Sequence, residues 1–233
     1  GMFAGFYAIL AAASGRFEHA SVAIFIAAVF DGIDGRVARL TGTSSEFGVQ
    51  YDSLADLVSF GMAPALVMYH WALHAMKLDG ALLGKVGWAA AFLYTACAAL
   101  RLARFNTQVG SVDKRWFIGL NSPSSAGMMM SFVWAMNEFG WLGTELRYFA
   151  LAVTVACALL MVSRFRYSSF KGSGQPKERD DKVPFKVTLV VLAILVALFI
   201  DPPRVLLLMA GAYALSGPAL WLWLKIKPKP QAD

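Results

Sequence analysis

Residues 31–56 read DGIDGRVARLTGTSSEFGVQYDSLAD, and this stretch decides the fold. Asp31 and Asp34 stand three apart at the end of one apolar block, and Asp52 and Asp56 stand four apart at the start of the next. In a helix both spacings put the two carboxylates on one face. The connecting Thr41 to Phe47 stretch is short enough to make the two helices antiparallel neighbours, so the four acids are expected to converge. Carboxylates gathered at low dielectric repel one another unless cations sit among them. Hard oxygen donors at an aqueous edge suit Mg²⁺, Mn²⁺ or Ca²⁺, so Asp31, Asp34, Asp52 and Asp56 are the candidate ligands of one divalent ion or two.

The small residues around the acids sharpen the expectation. Gly35 and Ala38 leave a strip of helix almost bare, where a phosphate or sugar approaches the backbone closely. Arg36 and Arg39 flank that strip, and a guanidinium suits a phosphate because it offers two parallel donors. Taken singly, the small residues equally suit helix packing and the arginines equally suit interfacial anchoring.

Working outward, the 233 residues are 58% apolar and 15% charged, with a mean hydropathy of +0.57. Apolar blocks fall at about 2–13, 19–40, 50–76, 83–105, 122–140, 145–163, 184–200 and 203–224, most of them long enough to cross a bilayer as helices. The predicted architecture is an all-α polytopic membrane protein. Its polar stretch 172–183 reads as a cytoplasmic linker between a six-helix core, 1–171, and a C-terminal helix pair with a basic tail, 184–233. The first block is too short to span and opens on Gly1-Met2, so the first helix is expected to be truncated; no basic segment marks a signal peptide.

Basic residues set the orientation. Arg36, Arg39, Arg101, Arg104, Lys114, Arg115, Arg164, Arg166, Lys171, Lys177, Arg179, Lys182, Lys186, Lys225, Lys227 and Lys229 fall on one side, which is sixteen of the 21. That side, with the aspartates and both termini, is predicted to be cytoplasmic. The net charge of +6 comes from these loops, with no basic run interleaved with aromatics to suggest nucleic acid. Cys97 and Cys157 lie inside apolar blocks and indicate neither a disulfide nor a zinc site. His19, His70 and His74 lie toward the side away from the aspartates, which argues against histidine catalysis.

The pattern Asp31-x-x-Asp34-Gly35-x-x-Ala38-Arg39, eight residues, Gly48-x-x-x-Asp52-x-x-x-Asp56 resembles the signature of the CDP-alcohol phosphotransferase family at every defined position. Four further segments resemble its phosphatidylserine synthase branch: Ser59 to Pro64, Arg101 to Asn106, Phe117 to Pro123 and Ser163 to Tyr167. The resemblance implies transfer of a phosphatidyl group from CDP-diacylglycerol to the hydroxyl of L-serine, with release of CMP. It also implies metal at Asp31, Asp34, Asp52 and Asp56, with Asp56 doubling as general base, and contacts to the nucleotide and diphosphate from Asp34, Gly35, Ala38, Arg39 and Gly48. Two ions and a homodimer are expected on the same ground. For the serine carboxylate the candidates are Arg101, Arg104 and Asn106, with Arg164 and Arg166 as competitors.

Three other readings stand beside this one. A relative using glycerol 3-phosphate or an inositol compound as acceptor would call for an additional basic cluster. Membrane prenyltransferases use aspartate-rich motifs with Mg²⁺, but without this spacing. An ion-coupled transporter would place acids near the bilayer midplane between related halves; here the acids cluster at one edge and no internal symmetry is evident.

Overall fold

The computed structural model describes residues 1–41, 45–108, 116–168 and 185–226. The linker 172–183, Lys114, Arg115, Lys227 and Lys229 lie outside them. Helices α1 (Met2–Ala13) and α2 (Phe17–Thr41) form an antiparallel pair turned by Gly15, whose φ is +74°. Their buried faces are made of small side chains, Ala8, Ala11 and Ala12 against Ala20, Ala23 and Ala27. Small residues let the two backbones approach closely, which is how helices associate where lipid removes the hydrophobic drive.

The third apolar block is one helical run with three changes of winding. It opens as α3 (Glu46–Asp56), widens to a π-helix over Leu57–Met62, returns to α4 (Ala63–Trp71) and tightens to a 3₁₀ turn over Leu73–Asp79. A π segment is rare and often marks a functional site. Here it begins at the residue after Asp56, and the Phe60 carbonyl within it accepts a hydrogen bond from the buried Tyr94 hydroxyl at 3.1 Å. Gly5 of α1 lies so near this segment that a Cβ there would meet Ser59 Cα at 2.7 Å.

Helix α5 (Ala81–Gln108) then returns along the run, and α6 (Ser122–Glu138) and α7 (Arg147–Val162) complete the packing around it. Asn121 caps α6 by accepting from Ser124 N at 2.7 Å. The all-α expectation meets one exception, an antiparallel ribbon of β1 (Trp116–Ile118) and β2 (Arg166–Ser168) with Phe117 opposite Tyr167. Gly119, at φ +80°, ends β1 where a Cβ would stand 2.3 Å from Met161 O, so only glycine fits.

Helices α8 (Phe185–Ile200) and α9 (Pro202–Ile226) form the last pair; α9 packs on α6, and α8 on α9. Tyr167 of the ribbon, fully buried, donates to Ala214 O of α9 at 3.0 Å.

Among the described residues, two helical stretches, Ala81–Thr107 and Pro202–Ile226, are long and apolar enough to cross a membrane. Elsewhere α2 carries Asp31, Asp34, Arg36 and Arg39, and the third block changes winding, so neither forms one uninterrupted apolar helix. Large apolar side chains nonetheless face outward, with Phe3 82% and Phe199 90% exposed, an exterior suited to lipid.

At the end of the third run opposite the aspartates, Asp79 accepts hydrogen bonds from Arg147 Nε, from Arg147 Nη2 at 2.7 Å and from the Tyr148 hydroxyl at 3.0 Å. The Arg147 hydrogen bonds hold its carboxyl below the ordinary value of 3.8. A depressed carboxylate stabilises the fold above its unfolded pKa and loses that contribution as the pH falls through the folded value. Asp79→Asn is therefore expected to lower the thermal midpoint in detergent at neutral pH, with mutant and wild type converging as the pH drops below 3.8. A pH-independent difference would show that the contact is not electrostatic.

Candidate functional site

Helix α2 packs mainly against α1, α6 and α4 and not along α3, so a cavity of about 630 Å³ opens between the ends of α2 and α3. Ser45 fixes the entry to α3 by accepting from Gly48 N at 3.0 Å, a cap that sets the rotation of Asp52 and Asp56. Ala27, Asp31, Asp34 and Gly35 line one wall, and Gly48, Asp52 and Asp56 the other.

Three of the four acids come together. Asp31, Asp52 and Asp56 each offer a carboxylate oxygen, and these atoms lie within 4.8 Å of one another. Oxygens on opposite sides of a cation, each about 2.0–2.6 Å from it, stand about 4–5 Å apart, so the trio fits one hard divalent ion. Asp34, exposed and one turn beyond Asp31, stands outside the trio but lines the same cavity. Gly35 and Gly48 both line it without side chains. Ala38 and Arg39 continue α2, but their side chains lie outside what is described.

The three residues considered for an acceptor carboxylate have different partners. Arg101 turns inward, with Nη1 donating to Ser122 Oγ at 2.8 Å and with Asp56 in electrostatic range. Its Nε is buried and has no hydrogen-bond partner among the described residues. Arg104 donates to Ile118 O at 3.2 Å and Val162 O at 3.4 Å, tying α5 to the ribbon and to α7. Asn106 donates to Ser53 Oγ at 3.0 Å, bracing the turn of α3 that carries Asp52. Arg164 and Arg166 are exposed.

Sequence reasoning passed over Tyr94 and gave Ser122 no role. Ser122 opens a helix and resembles any capping serine, and Tyr94 is one aromatic among many; only the fold brings them to Phe60 and Arg101. A second cavity of about 830 Å³ between α1 and α2 shares Gly1 and Phe3 with the first. Its walls are mainly apolar, with Glu18 and His19 among the few polar groups.

Residues 1–162 match the CDP-alcohol phosphatidyltransferase family. The chain is 34% identical over 226 residues to a CDP-diacylglycerol–serine O-phosphatidyltransferase of Helicobacter pylori, covering 97% of this chain and 89% of that protein. It is 32% identical over 195 residues to the enzyme of the same name from Methanocaldococcus jannaschii, covering 83% and 80%. With an archaetidylserine synthase of Methanothermobacter thermautotrophicus it shares 33% identity over 172 residues, covering 73% and 66%.

The geometry of the trio makes a direct prediction about ion binding. Asp52→Asn is expected to weaken Mn²⁺ binding about tenfold or more, read by electron paramagnetic resonance on the purified protein, because it removes a charged ligand from a site of three. Phe47→Ala, at the exposed start of α3, is expected to leave binding unchanged. Equal affinity in Asp52→Asn and wild type would show that the ion is held elsewhere.

Proposed function

The chain belongs to the CDP-alcohol phosphatidyltransferase family, and from that premise we propose that it is a membrane enzyme transferring a phosphatidyl group from CDP-diacylglycerol to the hydroxyl of L-serine, giving phosphatidylserine and CMP. The observation that carries this reading is the convergence of Asp31, Asp52 and Asp56, with the half-buried Arg101 in electrostatic range of Asp56. Family membership removes the transporter and prenyltransferase alternatives. Against a phosphorylated acceptor stands the commitment of Arg104 to two backbone carbonyls, which leaves Arg101 as the inward-turned cation of α5.

Asp31, Asp34, Asp52 and Asp56 hold Mg²⁺ or Mn²⁺ in this reading. A divalent ion bound there supplies charge neutralisation at the diphosphate. Gly35, Ala38 and Gly48 leave room for the nucleotide, and Arg39 grips phosphate oxygens. The apolar cavity between α1 and α2, which shares the lining residues Gly1 and Phe3 with the aspartate cavity, suits the acyl chains. Arg101 pairs with the serine carboxylate, with Arg104 and Asn106 fixing the walls around it. Serine is a poor nucleophile at neutral pH, so Asp56 accepts its hydroxyl proton as the serine oxygen bonds to the phosphatidyl phosphorus. The phosphoanhydride bond to CMP breaks in the same displacement.

The basic asymmetry favours a site facing the cytoplasm at the inner membrane, six helices forming the catalytic core, 1–171, and α8 and α9 forming an added pair. A homodimer is part of the proposal on family grounds alone.

Asp56→Asn is expected to abolish transfer of labelled serine while only weakening Mn²⁺ binding, since the amide keeps an oxygen ligand but accepts no proton. Near-normal turnover by that variant would remove the base assignment. Offered as competing acceptors to the wild-type protein, serine is expected to be consumed and glycerol 3-phosphate left; the reverse would reassign the acceptor.

A further inference from the structure

The lining of the aspartate cavity is of two kinds. Asp31, Asp34, Asp52 and Asp56 supply carboxylates, while Met2, Val49 and Tyr51 supply apolar surface. The diphosphate of a nucleotide accounts for the first kind and leaves the second without a use. Packing does not supply one, because α3 has no buried residue and so needs no ring to fill a core. Tyr51 is 53% exposed and stands one residue before Asp52. An aromatic ring left open in a cavity beside charged groups offers surface to bury against a ligand.

Two contacts set that ring. The Tyr51 hydroxyl donates to Met2 Sδ at 3.8 Å, which joins α3 to α1 at the cavity wall. The ring of Phe47, one turn earlier in α3, lies nearly parallel to it, with centroids 6.3 Å apart and planes inclined by 20°. Phe47 does not itself line the cavity, so its part is to hold the plane of Tyr51. Gly48 stands three residues before Tyr51, on the same side of α3, and lines the cavity with bare backbone. A Cβ at Gly48 would approach Ser45 Oγ, of the helix's own cap, at 3.2 Å and no other neighbouring element among the described residues. No neighbouring helix demands a glycine there, and its bareness leaves space in the cavity beside the Tyr51 ring.

The geometry points to Tyr51 as the residue that stacks on the pyrimidine base of the CDP group, in the space that Gly48 leaves, with Met2 and Phe47 holding its ring. Every base has a π face that an aromatic side chain covers, and such stacking adds affinity without depending on the ion that holds the phosphates. The acids grip one end of the nucleotide and Tyr51 the other. Tyr51 thereby sets the affinity for the nucleotide half of the lipid substrate and for CMP as product. The inference rests on the reading that the chain takes CDP-diacylglycerol.

The test measures CMP binding by isothermal titration calorimetry on the purified full chain in detergent with Mn²⁺ present, for wild type, Tyr51→Ala, Tyr51→Leu and Tyr51→Phe. Loss of a stacked ring is expected to weaken CMP binding about fivefold or more in Tyr51→Ala and Tyr51→Leu. Tyr51→Phe keeps the ring and is expected to stay within about twofold of wild type. Mn²⁺ affinity without nucleotide, read by electron paramagnetic resonance, is expected to stay within about twofold in all three. A merely structural role would move that second readout, because Asp52 is the next residue in the chain. Wild-type CMP affinity in Tyr51→Ala and Tyr51→Leu overturns the inference, as does a loss in Tyr51→Phe equal to that in Tyr51→Leu, or a fall in Mn²⁺ affinity that matches the fall in CMP affinity. If Tyr51→Ala does not fold, Tyr51→Leu, which keeps the bulk and removes only the aromatic face, decides alone. The parent reading fails separately: a wild-type chain that binds Mn²⁺ but no CMP sinks the nucleotide assignment, whereas CMP bound equally by wild type and Tyr51→Leu sinks only the role of Tyr51.

Discussion

Mutual repulsion among carboxylates is the constraint around which this structure is arranged. Asp31, Asp52 and Asp56 bring oxygens within 4.8 Å of one another, an arrangement whose repulsion a cation or a shared proton relieves. Holding them there requires α2 and α3 to be fixed by other contacts, because the acids push the helix ends apart. The alanine faces of α1 and α2, the cap at Ser45 and the brace from Asn106 to Ser53 supply that fixing.

The winding of the run changes directly after Asp56. Residues Leu57–Met62 leave α-helical register at the point where the run passes from the aqueous cavity into the packed interior. A π turn shifts the faces of the helix, and over it the run passes from Asp52 and Asp56, which line the cavity, to the buried Ser59, Phe60 and Gly61, of which Ser59 and Phe60 close the inner end of the same cavity. Tyr94 ties Phe60 O to α5, which makes the π segment a junction between the acids and the helix that carries Arg101.

Charge of the opposite sign is distributed by geometry. Arg101 and Arg104 are three residues apart on α5, yet one donates to Ser122 Oγ and the other to the carbonyls of Ile118 and Val162. Arginine serves both ends because its fork is rigid: it braces loops as readily as it grips a carboxylate. The ribbon that Arg104 secures also carries Tyr167, and Tyr167 seats α9. The C-terminal pair is thus joined to the site through a short chain of side chains.

The sequence by itself determined the helical blocks and the acids. Hydropathy is a local property and needs no tertiary partner, so block 19–40 became Phe17–Thr41 and block 83–105 became Ala81–Gln108. The spacing of Asp31, Asp52 and Asp56 fixed their helical faces for the same reason. Tertiary structure alone decided that Asp34 stands apart from the trio, that Arg101 and Arg104 have separate partners, and that Tyr167 seats α9 through Ala214 O. It also decided the β1–β2 ribbon, whose strands are three residues each and pair across a sequence separation of about fifty. Such contacts depend on how helices pack and rotate, and no periodicity along the chain records the rotation of one helix against another.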